Sequence, residues 1–275
     1  MYIQVILKLK KRERNCLVMT HTIAVAGKGG TGKTTLSGFL IDALVRKNNG
    51  LVLAVDADAN SNLNEVLGIE IEETLGEIRE DIAESGISAD PKVPKGWSKQ
   101  DYMDFRFNNA ISEQDGFDML VMGRTQGKGC YCFVNGLLQA EIAKFANNYR
   151  YIVVDNEAGM EHISRGILPK IDTLLLVSDC SRRGIQAVGR IAQLAKELGL
   201  TPKTVGLIVN RAPGGQLNEG IREEIGLQGL NLLGVVPHDD LIYEYDGEGK
   251  PTVTIPASSP VRKAFDEIVS KLDFS

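Results

Sequence analysis

The stretch GKGGTGKTT at residues 27–35 follows the apolar run TIAVA and precedes a segment with helical apolar spacing. Gly27, four further residues, then Gly32, Lys33 and Thr34 form the phosphate-binding loop (P-loop) pattern, in the strand-before, helix-after context that confirms it. Glycines let the backbone turn tightly enough for successive N–H groups to face phosphate oxygens, so Gly27, Gly29, Gly30, Thr31, Gly32 and Thr35 are all candidate contacts. A helix starting near Lys33 adds its positive end. On this reading Lys33 reaches the β and γ phosphates and the Thr34 hydroxyl ligates Mg²⁺. The expected ligand is a Mg²⁺–nucleoside triphosphate.

The rest of the chain is consistent with one α/β domain. Short apolar runs predict strands at 22–26, 51–55, 117–122, 151–155, 173–178, 204–209 and 231–236, with helices at 33–48, 134–148, 183–199 and 217–226 between them. That alternation is the pattern of a mostly parallel sheet flanked by helices. No linker or repeat divides the 275 residues, so residues 20–275 are expected to share one core. The basic KLKKRER follows rather than precedes its apolar stretch, unlike a signal peptide. Residues 1–19 are therefore expected to be an N-terminal extension outside the domain. Residues 70–90, rich in Glu and Asp, read as a solvated helix, and 91–100, with two prolines, as a surface loop. The C-terminal VRKAFDEIVSKL carries a core-facing stripe at Val261, Ala264, Phe265, Ile268, Val269 and Leu272.

Charge and cysteine use narrow the function further. A formal net charge of -5 argues against nucleic-acid or membrane binding through bulk charge. The four cysteines (Cys16, Cys130, Cys132 and Cys180) do not make a secreted disulfide framework, and a cytoplasmic protein is expected. Two other strands end in carboxylates: Asp56 and Asp58 in VDADANSN, and Asp155 in VVDNEAGMEH. An aspartate after a strand is more often a helix cap than a catalyst, but two such ends beside a P-loop shift that balance.

With a lysine directly after the first glycine, KGGTGKTT resembles the deviant P-loop of the family containing MinD, ParA, nitrogenase iron protein and the tail-anchored-protein targeting ATPases. The resemblance implies ATP hydrolysis, with Lys28 crossing a two-fold interface to touch the partner subunit's nucleotide. ATP binding and homodimerisation would then stabilise each other. It further implies that Asp58 orients the attacking water and Asp56 supports the Mg²⁺ shell. Asp155 would hold Mg²⁺ through water, and the Gly159 N–H would sense the γ-phosphate. Asn210, beside Arg211, would read the purine edge, with the segment after Pro237 covering the base. No aspartate follows Asn210 to accept from a guanine amino group, so adenine is the expected base. His238 reads as a loop residue.

In GKGCYCFVNG, Cys130 and Cys132 lie one residue apart and can supply two thiolates to a zinc ion. The chain has no second Cys pair or His-x₃₋₅-His to complete four ligands, but a two-fold dimer gives a Cys₄ site. Cys180 reads as a small buried residue. Together with the deviant P-loop and DNEAGMEHISRG, this segment resembles the CooC-type maturation ATPases of nickel-containing carbon monoxide dehydrogenase and their cousins for acetyl-CoA synthase. That resemblance implies ATP-dependent nickel delivery to one of these clients, with metal held between subunits. Three other readings fit the residues less well. A MinD/ParA-like partitioning ATPase does not need the cysteine pair, and a nitrogenase iron protein-like reductase would carry a cysteine in DNEAGMEH. A thiol redox role leaves the ATPase unexplained.

Overall fold

The computed structural model describes residues 19–58, 60, 62–85, 96–123, 143, 146–157 and 170–274. The described residues form one eight-stranded sheet: β1 (His21–Gly27), β2 (Val52–Ala57), β3 (Ile111–Glu113), β4 (Phe117–Val121), β5 (Tyr151–Asn156), β6 (Thr173–Asp179), β7 (Thr204–Ala212) and β8 (Leu232–Pro237). Their order is β3-β4-β2-β5-β1-β6-β7-β8. Every pairing is parallel except β3 with β4. The described helices are α1 (Lys33–Lys47), α2 (Leu63–Leu67), α3 (Leu75–Ser85), α4 (Lys99–Ala110), α5 (Arg182–Glu197), α6 (Glu219–Leu227), α7 (Asp240–Gly247) and α8 (Pro260–Ser270).

The central strands are apolar at nearly every position because both sheet faces are covered. Alternation divides them between two layers. Ile23 and Val25 of β1 pack with Leu36, Phe39 and Leu40 of α1 and Phe265, Ile268 and Val269 of α8. Ala24 and Ala26 pack on the other face with Ile185 and Val188 of α5. Further along that second face, Leu53 and Val55 of β2 meet Phe107 and Ala110 of α4. A buried cation ties α8 to α1: the Arg262 guanidinium lies 4.6 Å from the Phe39 ring centroid and donates to Asp42.

All seven expected strands are present, and the C-terminal stripe forms a core face as read. An eighth strand, β3, was not anticipated; three residues are too few for alternation to register. Gly116, with φ 84, closes the turn that folds it back on β4. Part of the expected loop at 91–100 is helical instead. Ser98 accepts from the Asp101 N–H while Asp101 accepts from the Ser98 N–H, and this capping box starts α4. The polar composition of α4 had hidden it. The acidic segment contributes α3, which buries Leu75 and Ile78. Most of the helix expected at 134–148, residues 1–18 of the N-terminal extension (Cys16 among them), Cys130, Cys132 and Gly159 lie outside the described residues.

Candidate nucleotide site

Gly27 ends β1 opposite Val177 of β6. A Cβ there would stand 2.1 Å from the Val177 carbonyl oxygen, so only glycine lets the chain turn so close to its neighbour. Gly30 and Gly32 adopt φ of 77 and 88, the left-handed region that glycine enters without Cβ strain. The loop folds inward on Lys28: Thr31 Oγ1 donates to the Lys28 carbonyl at 2.9 Å and Lys33 Nζ to the same oxygen at 3.3 Å. Lys33 is only 7% exposed, whereas the Lys28 side chain stands in solvent.

Helix α1 begins at Lys33 with no side-chain cap and no acid in its first turn. Its first N–H groups and its positive dipole end are left for an anion. Thr34 and Thr35 lie in that first turn. Burial lowers the Lys33 pKa, opposed by Asp155, Asp58 and Glu157 nearby.

Two carboxylates close the opposite wall. Asp56 and Asp155 are register partners on β2 and β5, each about 1% exposed or less. Burial raises the Asp155 pKa to about 7, against hydrogen bonds from Thr34 and Ser37 and with the Asp56 charge adding to the rise. Burial likewise raises Asp56 to about 6, against backbone N–H donors of Leu63 and Asp58. Those N–H groups donate to the two Asp56 oxygens, at 3.0 Å each. Asp56 therefore shapes the loop that carries Asp58. Ser37 donates to Asp155 Oδ1 at 2.9 Å and was missed in the sequence. Its position four residues after Lys33, one helical turn on, was the available signal.

The fit to a Mg²⁺–triphosphate is testable on these observations. The cradle excludes side chains, the helix end is uncapped, and buried carboxyls stand beside Thr34 with one lysine to balance them. Phosphate suits the first two features and a divalent cation the third.

A cavity of about 270 Å³ adjoins the loop, lined by Gly32, Thr35, Asn210, Arg211, Pro237 and Tyr243 among others. The expected base-contacting residues are thus brought together at one place. Ile242 and Tyr243 of α7, also on its wall, were not anticipated. Asn210 Nδ2 donates to the Thr31 carbonyl at 2.8 Å and Arg211 Nη1 to the Gly30 carbonyl at 3.0 Å. His238 is an exposed residue paired with Asp240, and Cys180 is half-buried. Among the described residues no group of three or more His, Cys, Asp or Glu is placed to hold a metal ion, and no helix is long and apolar enough to cross a membrane.

Residues 22–253 match the model of the CobQ/CobB/MinD/ParA nucleotide binding domain. An uncharacterized ATP-binding protein of Methanocaldococcus jannaschii is 39% identical over 91% of this chain and 97% of its own length. The carbon monoxide dehydrogenase accessory protein CooC of Rhodospirillum rubrum is 29% identical over 82% of this chain and 87% of its own. Among solved structures, septum site-determining protein MinD of Pyrococcus horikoshii, complexed with Mg-ADP, superposes with a TM-score of 0.67. At 24% identity, covering 93% of this chain and 96% of that one, that likeness speaks to the fold.

Proposed function

Because the chain belongs to the CobQ/CobB/MinD/ParA nucleotide-binding family, and is an ATP-binding P-loop ATPase of that family, we propose that it hydrolyses ATP to drive delivery of nickel to a metalloenzyme. Carbon monoxide dehydrogenase or the related acetyl-CoA synthase is the client. The observation that carries this finer reading is the joint presence of Cys130-x-Cys132 and likeness to CooC across most of both chains. Nickel is here cargo rather than a resident cofactor, and zinc is the competing occupant of a thiolate site.

In the proposed mechanism the loop from Gly27 to Thr35 binds the phosphates, Lys33 neutralises β/γ charge, and Asp58 orients the attacking water. Thr34, Asp56 and Asp155 would hold Mg²⁺, which supplies charge neutralisation at the phosphates when bound. The buried position of Lys33 strengthens its pull on the transferred phosphoryl group, because little water screens it. Asn210, Arg211 and Pro237 would surround an adenine in the adjoining cavity. Lys28, exposed at the loop's outer edge, would reach the nucleotide of a second copy, making the homodimer ATP-dependent. Cys130 and Cys132 of each copy would then complete a four-thiolate site, and no nucleic acid or stable membrane association is needed.

Metal analysis of size-separated monomer and dimer, with and without ATP, tests the reading. One nickel or zinc per dimer, lost in both Cys130→Ser and Cys132→Ser, is the expected result. One ion per monomer, or retention after either substitution, would sink the shared site. Lys28→Ala should keep nucleotide binding yet weaken ATP-dependent dimerisation in sedimentation, and an unchanged monomer–dimer balance would remove its interface role.

A further inference from the structure

The register of β7 against β8 shifts once between Leu207 and Ile208 and again after Val209, which stands opposite Val235; pairing resumes at Ala212 opposite Pro237. Two residues of β7, Asn210 and Arg211, thus stand against one of β8, which is a β-bulge. Bulges re-aim side chains and are common beside functional sites. Arg211 has φ 56, in the left-handed region that disfavours a residue bearing a Cβ. The bulge has a visible consequence. Successive side chains of a regular strand point to opposite faces, yet here both reach the same loop. Asn210 holds the Thr31 carbonyl at 2.8 Å and Arg211 the Gly30 carbonyl at 3.0 Å.

These two carbonyls belong to consecutive peptide units. In a trans peptide the C=O and N–H point in opposite directions. Drawing the Gly30 and Thr31 oxygens toward β7 therefore turns the N–H groups of Thr31 and Gly32 away from β7. The close approach is possible only because Gly32 lacks a Cβ, which would lie 2.4 Å from Asn210 Nδ2. Both Asn210 and Arg211 also line the 270 Å³ cavity.

We propose that the Asn210–Arg211 bulge is a positioning brace that sets the peptide orientation of the phosphate cradle from the base side. Arg211 acts through the loop backbone and not by reading the base. The proposal rests on nucleotide binding at this loop. A base-reading arginine would change preference among bases; a brace changes affinity for any nucleoside triphosphate alike.

The test compares Arg211→Gly and Arg211→Lys with the unsubstituted protein by calorimetric titration of Mg²⁺–ATP and Mg²⁺–GTP. Arg211→Gly removes the brace while relieving the left-handed backbone, so the nucleotide-free melting temperature should stay within about 2 °C. Its Kd should rise roughly tenfold for both nucleotides, with the ATP-to-GTP ratio unchanged, as for loss of one charge-assisted hydrogen bond. Arg211→Lys, which keeps a donor, should recover part of the affinity. An unchanged Kd for ATP in Arg211→Gly would overturn the brace, and so would a changed ATP-to-GTP ratio. Absence of ATP binding by the unsubstituted protein would instead overturn the nucleotide reading beneath it.

Discussion

Asp56 and Asp155 stand directly opposite each other at the carboxyl ends of adjacent parallel strands, both buried, with the Asp155 carboxylate accepting from Ser37 on α1. Neighbouring strands lie about 4.8 Å apart, so the two carboxyls share one poorly solvated space. Two charges there are unfavourable until a cation enters. This pairing links the stability of the nucleotide-free protein to the chemistry proposed for the site.

Asp155→Asn should stabilise the nucleotide-free protein at pH 8 and do so much less at pH 5. The folded-state pKa of about 7 is above the ordinary 3.8. Between those values the folded protein holds a proton that the unfolded chain has released. The stability linked to this proton is fully present below about pH 4 and is lost as pH rises through 7. Asparagine keeps an acceptor for Ser37 but has no charge to bury. A gain on the order of 1–2 kcal/mol at pH 8 is expected, since each pKa unit corresponds to about 1.4 kcal/mol before relaxation. Thermal melts across pH 5–8 decide it; parallel curves for the two proteins would refute the assignment.

Lys33→Ala and Asp58→Ala should fail in different ways. Lys33 is the buried cation of the loop, and its removal should reduce ATP affinity and turnover together. Asp58→Ala should bind ATP nearly normally while hydrolysis falls about 100-fold or more, the usual scale for a positioned proton acceptor. Pairing equilibrium binding with single-turnover assays separates the two. Wild-type turnover in Asp58→Ala would overturn the water-orienting role proposed for it.

Gly27→Ala should destabilise the fold itself. The added Cβ would meet the Val177 carbonyl oxygen at 2.1 Å, and backbone in the sheet centre cannot move aside cheaply. A loss of about 2–3 kcal/mol, or roughly 5 °C in melting temperature, is expected. A melting temperature equal to that of the unsubstituted protein would show that β1 and β6 can separate there without cost.

His21 should oppose Asp155 in the pH profile. It is buried at the other end of β1, hydrogen-bonded to Thr173 and edge-on to Phe274. Burial lowers its pKa below the ordinary 6.5, with Asp172 pulling the other way. The unfolded chain then takes up the proton first as pH falls. His21 therefore contributes stability present above about pH 6.5 and lost as pH drops through the lowered folded value. His21→Leu should flatten that acid limb in denaturant titrations at pH 7 and pH 5.5; an identical loss in both proteins would exclude His21 as its source.

The phosphate loop, the parallel sheet and the core stripe of the last helix were legible in the sequence because each is written in local order. Gly27-x₄-Gly32-Lys33-Thr34 needs only neighbours to declare itself, and a strand buried on both faces shows as an unbroken apolar run. Other features had no local sign. The three residues of β3 pair only because Gly116 turns them onto β4, and α4 starts at the Ser98–Asp101 capping box despite a polar composition. The pairing of Asp56 with Asp155, separated by 99 positions in the numbering, is created by strand order. Asn210 and Arg211 are recognisable in the sequence as candidates for base contact, but their grip on Thr31 and Gly30 depends on a register shift between β7 and β8. Sequence determined which groups could bind phosphate, since that chemistry belongs to residue types at short spacing. Tertiary structure alone decided which groups face one another and how far their charges are removed from water, because sheet register and burial arise from contacts between distant segments.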